Sequence, residues 1–168
     1  MALSAEDKMK NFAFRIKSSE KQSLITLQLD LTDFCVCKCK GCEHWKWPVK
    51  TKLQTDILEK NVFSSLDKFD SLQSIVLSGG EPLLHPDVEY IVQTLNEKGL
   101  KVGIITSGLG KSNLDLAKLS KHCSWIRLSS DGFTPENYAE TRGVPMFDKW
   151  TSNLMTLLDS NKDTGCKT

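Results

Sequence analysis

Leu24-Ile-Thr-Leu-Gln-Leu-Asp-Leu31-Thr-Asp-Phe-Cys35-Val-Cys37-Lys-Cys39-Lys-Gly-Cys42 runs a strand directly into a cluster of thiols. Ile25, Leu27, Leu29 and Leu31 alternate with Thr26, Gln28 and Asp30, the period of two that marks a strand with one buried face. Three of the cysteines, Cys35, Cys39 and Cys42, stand at C-x3-C-x2-C spacing. That spacing lets three thiolates from one loop reach three corners of an iron-sulfur cube and leaves the fourth iron without a protein ligand. Cys37 lies too close to Cys35 and Cys39 for all four to ligate comfortably, which also argues against an electron-transfer loop of the ferredoxin kind. Zinc held by all four thiols is the rival reading. A structural zinc site more often takes two separated pairs, or a pair with spaced histidines, and only His44 is near. Lys38 and Lys40 favour the thiolate form of their neighbours.

Downstream of the loop, Leu53, Ile57, Leu58, Val62, Phe63, Leu66 and Phe69 recur at helical spacing and predict an amphipathic helix. The apolar run Ser74-Ile-Val-Leu-Ser78 then stops at Gly79-Gly80-Glu81-Pro82, a turn signal in its own right. His85-Pro86 opens a second helix that carries Val88, Ile91, Val92 and Leu95 on one face and closes at Gly99. Leu100-Lys-Val-Gly-Ile-Ile105 reads as a third strand, Leu114, Leu116 and Leu119 as a short third helix, and Trp125-Ile-Arg-Leu128 as a fourth strand. Phe147, Trp150, Leu154, Leu157 and Leu158 make a fourth helix. Strand and helix alternate four times, which implies an α/β fold of parallel strands with right-handed crossovers, either an open doubly wound sheet or part of a β/α barrel. In both, ligands sit at the carboxyl ends of the strands, where the cysteine loop, Gly79–Pro82, Thr106-Ser-Gly108 and Ser129-Ser-Asp-Gly132 all fall. Asn161-Lys-Asp-Thr-Gly165 has the look of a helix exit, after which a fifth strand is expected; an edge left unpaired there suggests a chain that is incomplete at its C-terminus.

The chain has 168 residues, 39% apolar and 26% charged, enough for one globular domain, and residues 1–23 form a polar N-terminal arm or single peripheral strand ahead of a core over 24–168. A formal net charge of +1 supplies no long-range field for nucleic acid or an anionic membrane. Locally, Lys38, Lys40, Lys46, Lys50 and Lys52 flank the cysteines, either as a solvated face or as a contact for an anionic substrate or an acidic electron donor. No run reaches the roughly 18 apolar residues of a membrane helix, and the first residues lack a signal peptide's hydrophobic stretch. The expectation is a cytoplasmic protein, where clustered cysteines are metal ligands rather than disulfides and Cys123 and Cys166 are ordinary reduced thiols.

With its cluster loop at Cys35, Cys39 and Cys42, a glycine-glycine-glutamate element at Gly79, Gly80 and Glu81, and serine-bearing ends on the third and fourth strands, the chain resembles the radical S-adenosylmethionine (radical SAM) enzymes. The resemblance implies a partial parallel β/α barrel of the TIM-barrel kind, showing four β/α units where the family has six. It implies a 4Fe-4S cluster on the three thiolates, with S-adenosylmethionine chelating the open iron. Reductive cleavage of that cofactor then gives a 5′-deoxyadenosyl radical, which abstracts hydrogen from a substrate carbon. A reductant protein such as flavodoxin or ferredoxin is the implied partner. Carried over position by position, Gly79 and Gly80 let backbone approach the cofactor and Glu81 accepts from its amino group. Thr106 and Ser107 contact its methionine or ribose, Ser129 approaches from the fourth strand, and Arg142 meets its carboxylate. Where many members place an aromatic residue before the last cysteine, this chain has Gly41, so Trp45 or Trp47 is the candidate substitute beside adenine. Arg127 shares the strand face of Ser129 and is expected to point into the barrel. The rival readings are a non-catalytic iron-sulfur or zinc-binding module and a truncated, inactive paralogue.

Overall fold

The computed structural model describes residues 24–48 and 50–168. The expected arm over residues 1–23 lies outside them. Four strands, β1 (Thr26–Thr32), β2 (Ser74–Gly79), β3 (Lys101–Thr106) and β4 (Trp125–Leu128), form one sheet in the order β1-β2-β3-β4. Every neighbouring pair is parallel. Sequential order with parallel pairing is what helical crossovers on one side of a curling sheet produce, the arc of a β/α barrel rather than a doubly wound sheet.

Leu31, Ile75, Leu77, Val102, Ile104 and Ile126 point from the sheet into one buried core. Against them pack Val88, Ile91, Val92 and Leu95 of α2 (Val88–Glu97), Leu116 and Leu119 of α3 (Leu116–Ser120), and Leu157 of α5 (Phe147–Thr164). A buried leucine-sized side chain contributes about 1.5–3 kcal/mol, so this layer sets how the strand ends are held.

The segment after the cysteine loop is not the regular helix its apolar residues predict. It begins as an α-helical turn at Thr55–Ile57, widens to π-helical geometry over Leu58–Val62, and tightens to a 3-10 helix over Phe63–Lys68; together these are α1. The reason lies in which residues are buried: Leu58, Phe63 and Leu66, spaced by five and then three. A π turn bonds residue i to i+5 and a 3-10 turn i to i+3, so the change of pitch brings all three side chains to the core. The second helix also differs, opening at Val88 with Asp87 as its N-cap rather than at Pro86, after a 3-10 turn at Pro82–Leu84. One helix was missed altogether: α4 (Pro135–Arg142), with Thr134 Oγ1 accepting from the Asn137 amide, Pro135 at its first position and Gly143 in the left-handed cap.

Beyond α5, the edge of β4 meets the chain's own last residues. Lys167 pairs in parallel with Trp125, and the Ile126 amide donates to the Lys167 carbonyl at 2.8 Å. Among the described residues no helix is long and apolar enough to cross a membrane.

Candidate functional site

The cysteine loop leaves β1 at Thr32 and is pinned at both ends of its course. On one side it follows the carboxyl end of β2: the Gly80 amide donates to Thr32 O at 2.7 Å and the Glu81 amide to Phe34 O at 2.8 Å. Gly79 has φ +122°, and a Cβ there would stand 2.6 Å from Thr32 O; on Gly80 it would stand 2.5 Å from Phe34 O. The glycine pair therefore lets the loop backbone lie against β2, a close approach no other residue allows. On the other side, the Lys38 amide donates to Arg142 O at 2.8 Å and the Lys40 amide to Thr141 O at 3.1 Å, so the end of α4 forms the far wall.

Between these walls lies a cavity of about 530 Å³ at the carboxyl ends of the strands. Cys35, Cys39 and Cys42 line it, as do Gly79 and Gly80 after β2, Thr106 and Ser107 after β3, Ser129 after β4, and Arg142 from α4. Sequence positions from five segments thus meet in one place. Cys37 also touches the cavity but is 2% exposed and packs with Leu109, Tyr138 and Trp150 in a second core beneath the loop. The rings of Tyr138, Phe147 and Trp150 stand within 5.9 Å of one another there.

Glu81 is placed differently from the other candidates. It is fully buried, and its carboxylate accepts from the Leu83 amide (3.0 Å), Thr106 Oγ1 (2.6 Å), the Ser107 amide (2.7 Å) and Ser107 Oγ. Four donors of its own chain occupy it, which ties the loop after β2 to the loop after β3 and fixes the two hydroxyl residues that face the cavity. Arg142 is also buried. Its Nη1 lies 3.3 Å from Cys39 Sγ and 3.3 Å from Asp131 Oδ2, and Nη2 donates to Ser129 O. Its Nε has no partner among the described residues, as have neither the Tyr138 hydroxyl nor Trp150 Nε1.

The charges follow this packing. The hydrogen bond from the Cys37 thiol lowers Cys35 to about 7, while the same bond and burial push Cys37 far up. Burial opposes the charge on Arg142, but the bond to Cys39 and the nearby Asp131 outweigh it and hold the guanidinium above its ordinary value. Burial, then Cys37, raises Tyr138 to about 12. Three thiols at a cavity rim, one already acidic and one beside a guanidinium, suit a thiolate-held metal group. Among the described residues no three Cys, His, Asp or Glu side chains converge on one point.

Of the two tryptophans, Trp45 lines the cavity and donates to Cys39 O at 3.0 Å, whereas Trp47 stacks on His44 at 4.3 Å and is half-exposed. The missed contributors are Thr141, Asp131 and Tyr138, all tied to α4. The Thr134-Pro135 start and Gly143 stop were the signals that could have found them.

A family model for the radical SAM superfamily matches residues 29–168. The chain is 28% identical over 135 residues to GTP 3',8-cyclase 1 of Mycobacterium tuberculosis, covering 74% of this chain and 37% of that protein. It is 32% identical over 118 residues to molybdenum cofactor biosynthesis protein 1 of Bos taurus, covering 67% of this chain and 18% of that one. Streptococcus suis SuiB, solved bound to precursor peptide SuiA, has a similar fold, with a TM-score of 0.67 at 16% identity over 99% of this chain and 38% of SuiB. The chain thus spans well under half the length of the curated relatives it matches. A parallel strand arc with the three-cysteine loop after its first strand, matched by that model over most of its length, makes this chain a member of the radical SAM superfamily.

Proposed function

We propose that residues 24–168 are the cofactor-binding core of an enzyme that uses a 4Fe-4S cluster and S-adenosylmethionine to abstract hydrogen from a substrate carbon. The observation that carries this reading is the convergence of Cys35, Cys39 and Cys42 with Thr106, Ser107, Ser129 and Arg142 on one cavity at the strand ends, with Cys37 turned toward the core. Family membership supports the cofactor pair. Bound there, the pair would supply a carbon radical by reductive cleavage of S-adenosylmethionine.

The chain's own residues would bind and orient. Cys35, Cys39 and Cys42 would hold the cluster, with Arg142 donating to the Cys39 sulfur and neutralising part of its charge. Gly79 and Gly80 present backbone to the cavity. Ser129 would offer a hydroxyl to a polar ligand, whereas Thr106 and Ser107, whose hydroxyl protons go to Glu81, would each offer only an oxygen lone pair. Trp45 provides an aromatic wall on the loop side. We place the protein in the cytoplasm, with a flavodoxin- or ferredoxin-like reductant as its electron donor, since the thiols need a reducing compartment.

Anaerobic reconstitution with iron and sulfide tests this. Alanine at Cys35, Cys39 or Cys42 is expected to abolish iron binding, whereas Cys37→Ala keeps it. The reduced protein is expected to convert S-adenosylmethionine to methionine and 5′-deoxyadenosine. One equivalent of zinc with no cofactor cleavage would overturn the reading and favour a binding module.

A further inference from the structure

The registers of the sheet place one residue from each strand in a single transverse row. Asp30 pairs with Ser78. Leu77 pairs with Ile104, which sets Ser78 beside Ile105, and Ile105 pairs with Arg127. Because strand side chains alternate, these four share the face opposite the core residues Leu31, Leu77, Ile104 and Ile126. Ser78 and Ile105, the middle of the row, line the cysteine cavity and form part of its floor, and Asp30 and Arg127 flank that floor outside the cavity lining.

Opposite charges stand at the two ends of this row, and both are exposed. Asp30 Oδ1 accepts from Ser78 Oγ and from Gln28 Nε2, both neutral donors, and among the described residues neither Asp30 nor Arg127 has an ion-pair partner. The next row down is Gln28, Val76, Gly103 and Trp125. There the Trp125 indole lies across Gly103, where a Cβ would meet Cζ2 at 2.1 Å. The row is therefore a carboxylate and a guanidinium separated by Ser78 and Ile105, with Val76 and the Trp125 indole in the row beneath.

Size and charge balance select its occupant. β1 and β4 are three strand spacings apart, roughly 14 Å between backbones. A free amino acid, whose amino nitrogen and carboxyl carbon are only about 2.5 Å apart, cannot reach both ends. A polyanion such as a nucleoside triphosphate would meet one guanidinium and be repelled by Asp30 in the same row. An extended peptide advances about 3.3 Å per residue, so side chains two to four residues apart span roughly 7–13 Å, matching two charged ends that lean inward. We propose that this row docks a peptide segment carrying a basic side chain for Asp30 and an acidic one for Arg127, with apolar residues between them against Ile105 and Trp125. This rests on the function proposed above, in which the cavity over the row holds the reacting groups.

Calorimetric titration of the reconstituted full chain tests it, with acetylated and amidated hexapeptides of alanine that carry Lys and Glu two, three or four residues apart. Lys/Lys peptides, Glu/Glu peptides and GTP serve as competitors. Binding of a Lys–Glu peptide is expected, weakened at least tenfold by Asp30→Asn and by Arg127→Gln. The double variant Asp30→Lys with Arg127→Glu is expected to prefer the peptide of reversed order, Glu–Lys. Three results would overturn the proposal: no peptide bound, which would mean another part of the protein takes this face; peptide binding indifferent to both substitutions; or GTP bound in an Arg127-dependent way. Cofactor cleavage by the unsubstituted protein without peptide reports separately on the proposed function, so the two readings fail independently.

Discussion

Arg142 stands where the charge of the site is decided, because its guanidinium touches a thiol, a carboxylate and a strand-end carbonyl at once. In the reconstituted protein, Arg142→Gln removes a charged hydrogen bond of about 1.5–3 kcal/mol. A positive neighbour favours the more negative, reduced cluster, so the midpoint potential is expected to fall, by at most roughly 60–130 mV for a one-electron couple because only the part of the bond that differs between the two oxidation states counts, read by a spectroscopic redox titration. In the metal-free protein the lowered Cys35 thiol is expected to alkylate fastest, since the thiolate is the reactive form. Its labelling rate is expected to reach half-maximum near pH 7, while Cys123, raised by burial, reacts slowly even at alkaline pH. Mass-spectrometric mapping of iodoacetamide adducts over a pH series checks both. The thiols were legible one by one because their spacing lies within eight residues. The contact of Arg142 with Cys39 joins positions 103 residues apart and leaves no local period, so the sequence could offer Arg142 only as a ligand candidate. Glu81 could be named from the sequence as a candidate, but the four internal donors that occupy it could not.

Among the elements, α1 and α4 differ most from what periodicity conveys. A helical wheel over residues 53–69 treats all seven apolar residues alike, yet Ile57 and Phe69 are nearly half-exposed while Leu58, Phe63 and Leu66 are buried. Leu58→Ala and Phe63→Ala are therefore expected to cost about 2–5 kcal/mol in chemical denaturation, and Ile57→Ala and Phe69→Ala less than about 0.5 kcal/mol. Equal effects at all four positions would restore the regular helix. By contrast, α4 escaped notice because its sequence, Pro135-Glu-Asn-Tyr-Ala-Glu-Thr-Arg142, has one large apolar residue and no stripe; Tyr138, fully buried, and the buried Arg142 anchor it. Its end is exacting. Gly143 has φ +70°, and an added Cβ would lie 2.7 Å from Lys38 O. Gly143→Ala combines a left-handed backbone penalty of about 1–2 kcal/mol with that clash, and a loss of at least about 2 kcal/mol in stability is expected together with reduced iron retention.

At the scale of the whole molecule, parallel strands in sequential order were written in the alternation of strand and helix, since each unit carries its own period. The choice of a barrel arc over a doubly wound sheet was not, because it depends on which side every crossover takes. The pairing of Lys167 with Trp125 has a measurable sign: removing residues 166–168 is expected to speed hydrogen exchange at the Ile126 amide, which donates to Lys167 O, and leave Ile104 in the central β3 unchanged. The strap between the Lys38 and Lys40 amides and the last turn of α4 reaches further, into how the protein is made. On a ribosome adding about 5–20 residues per second, the thiols emerge roughly 5–20 seconds before their far wall. On the function proposed above, iron offered in that interval would meet a loop whose far wall has yet to form, and the walled site exists only once the chain through Gly143 has folded.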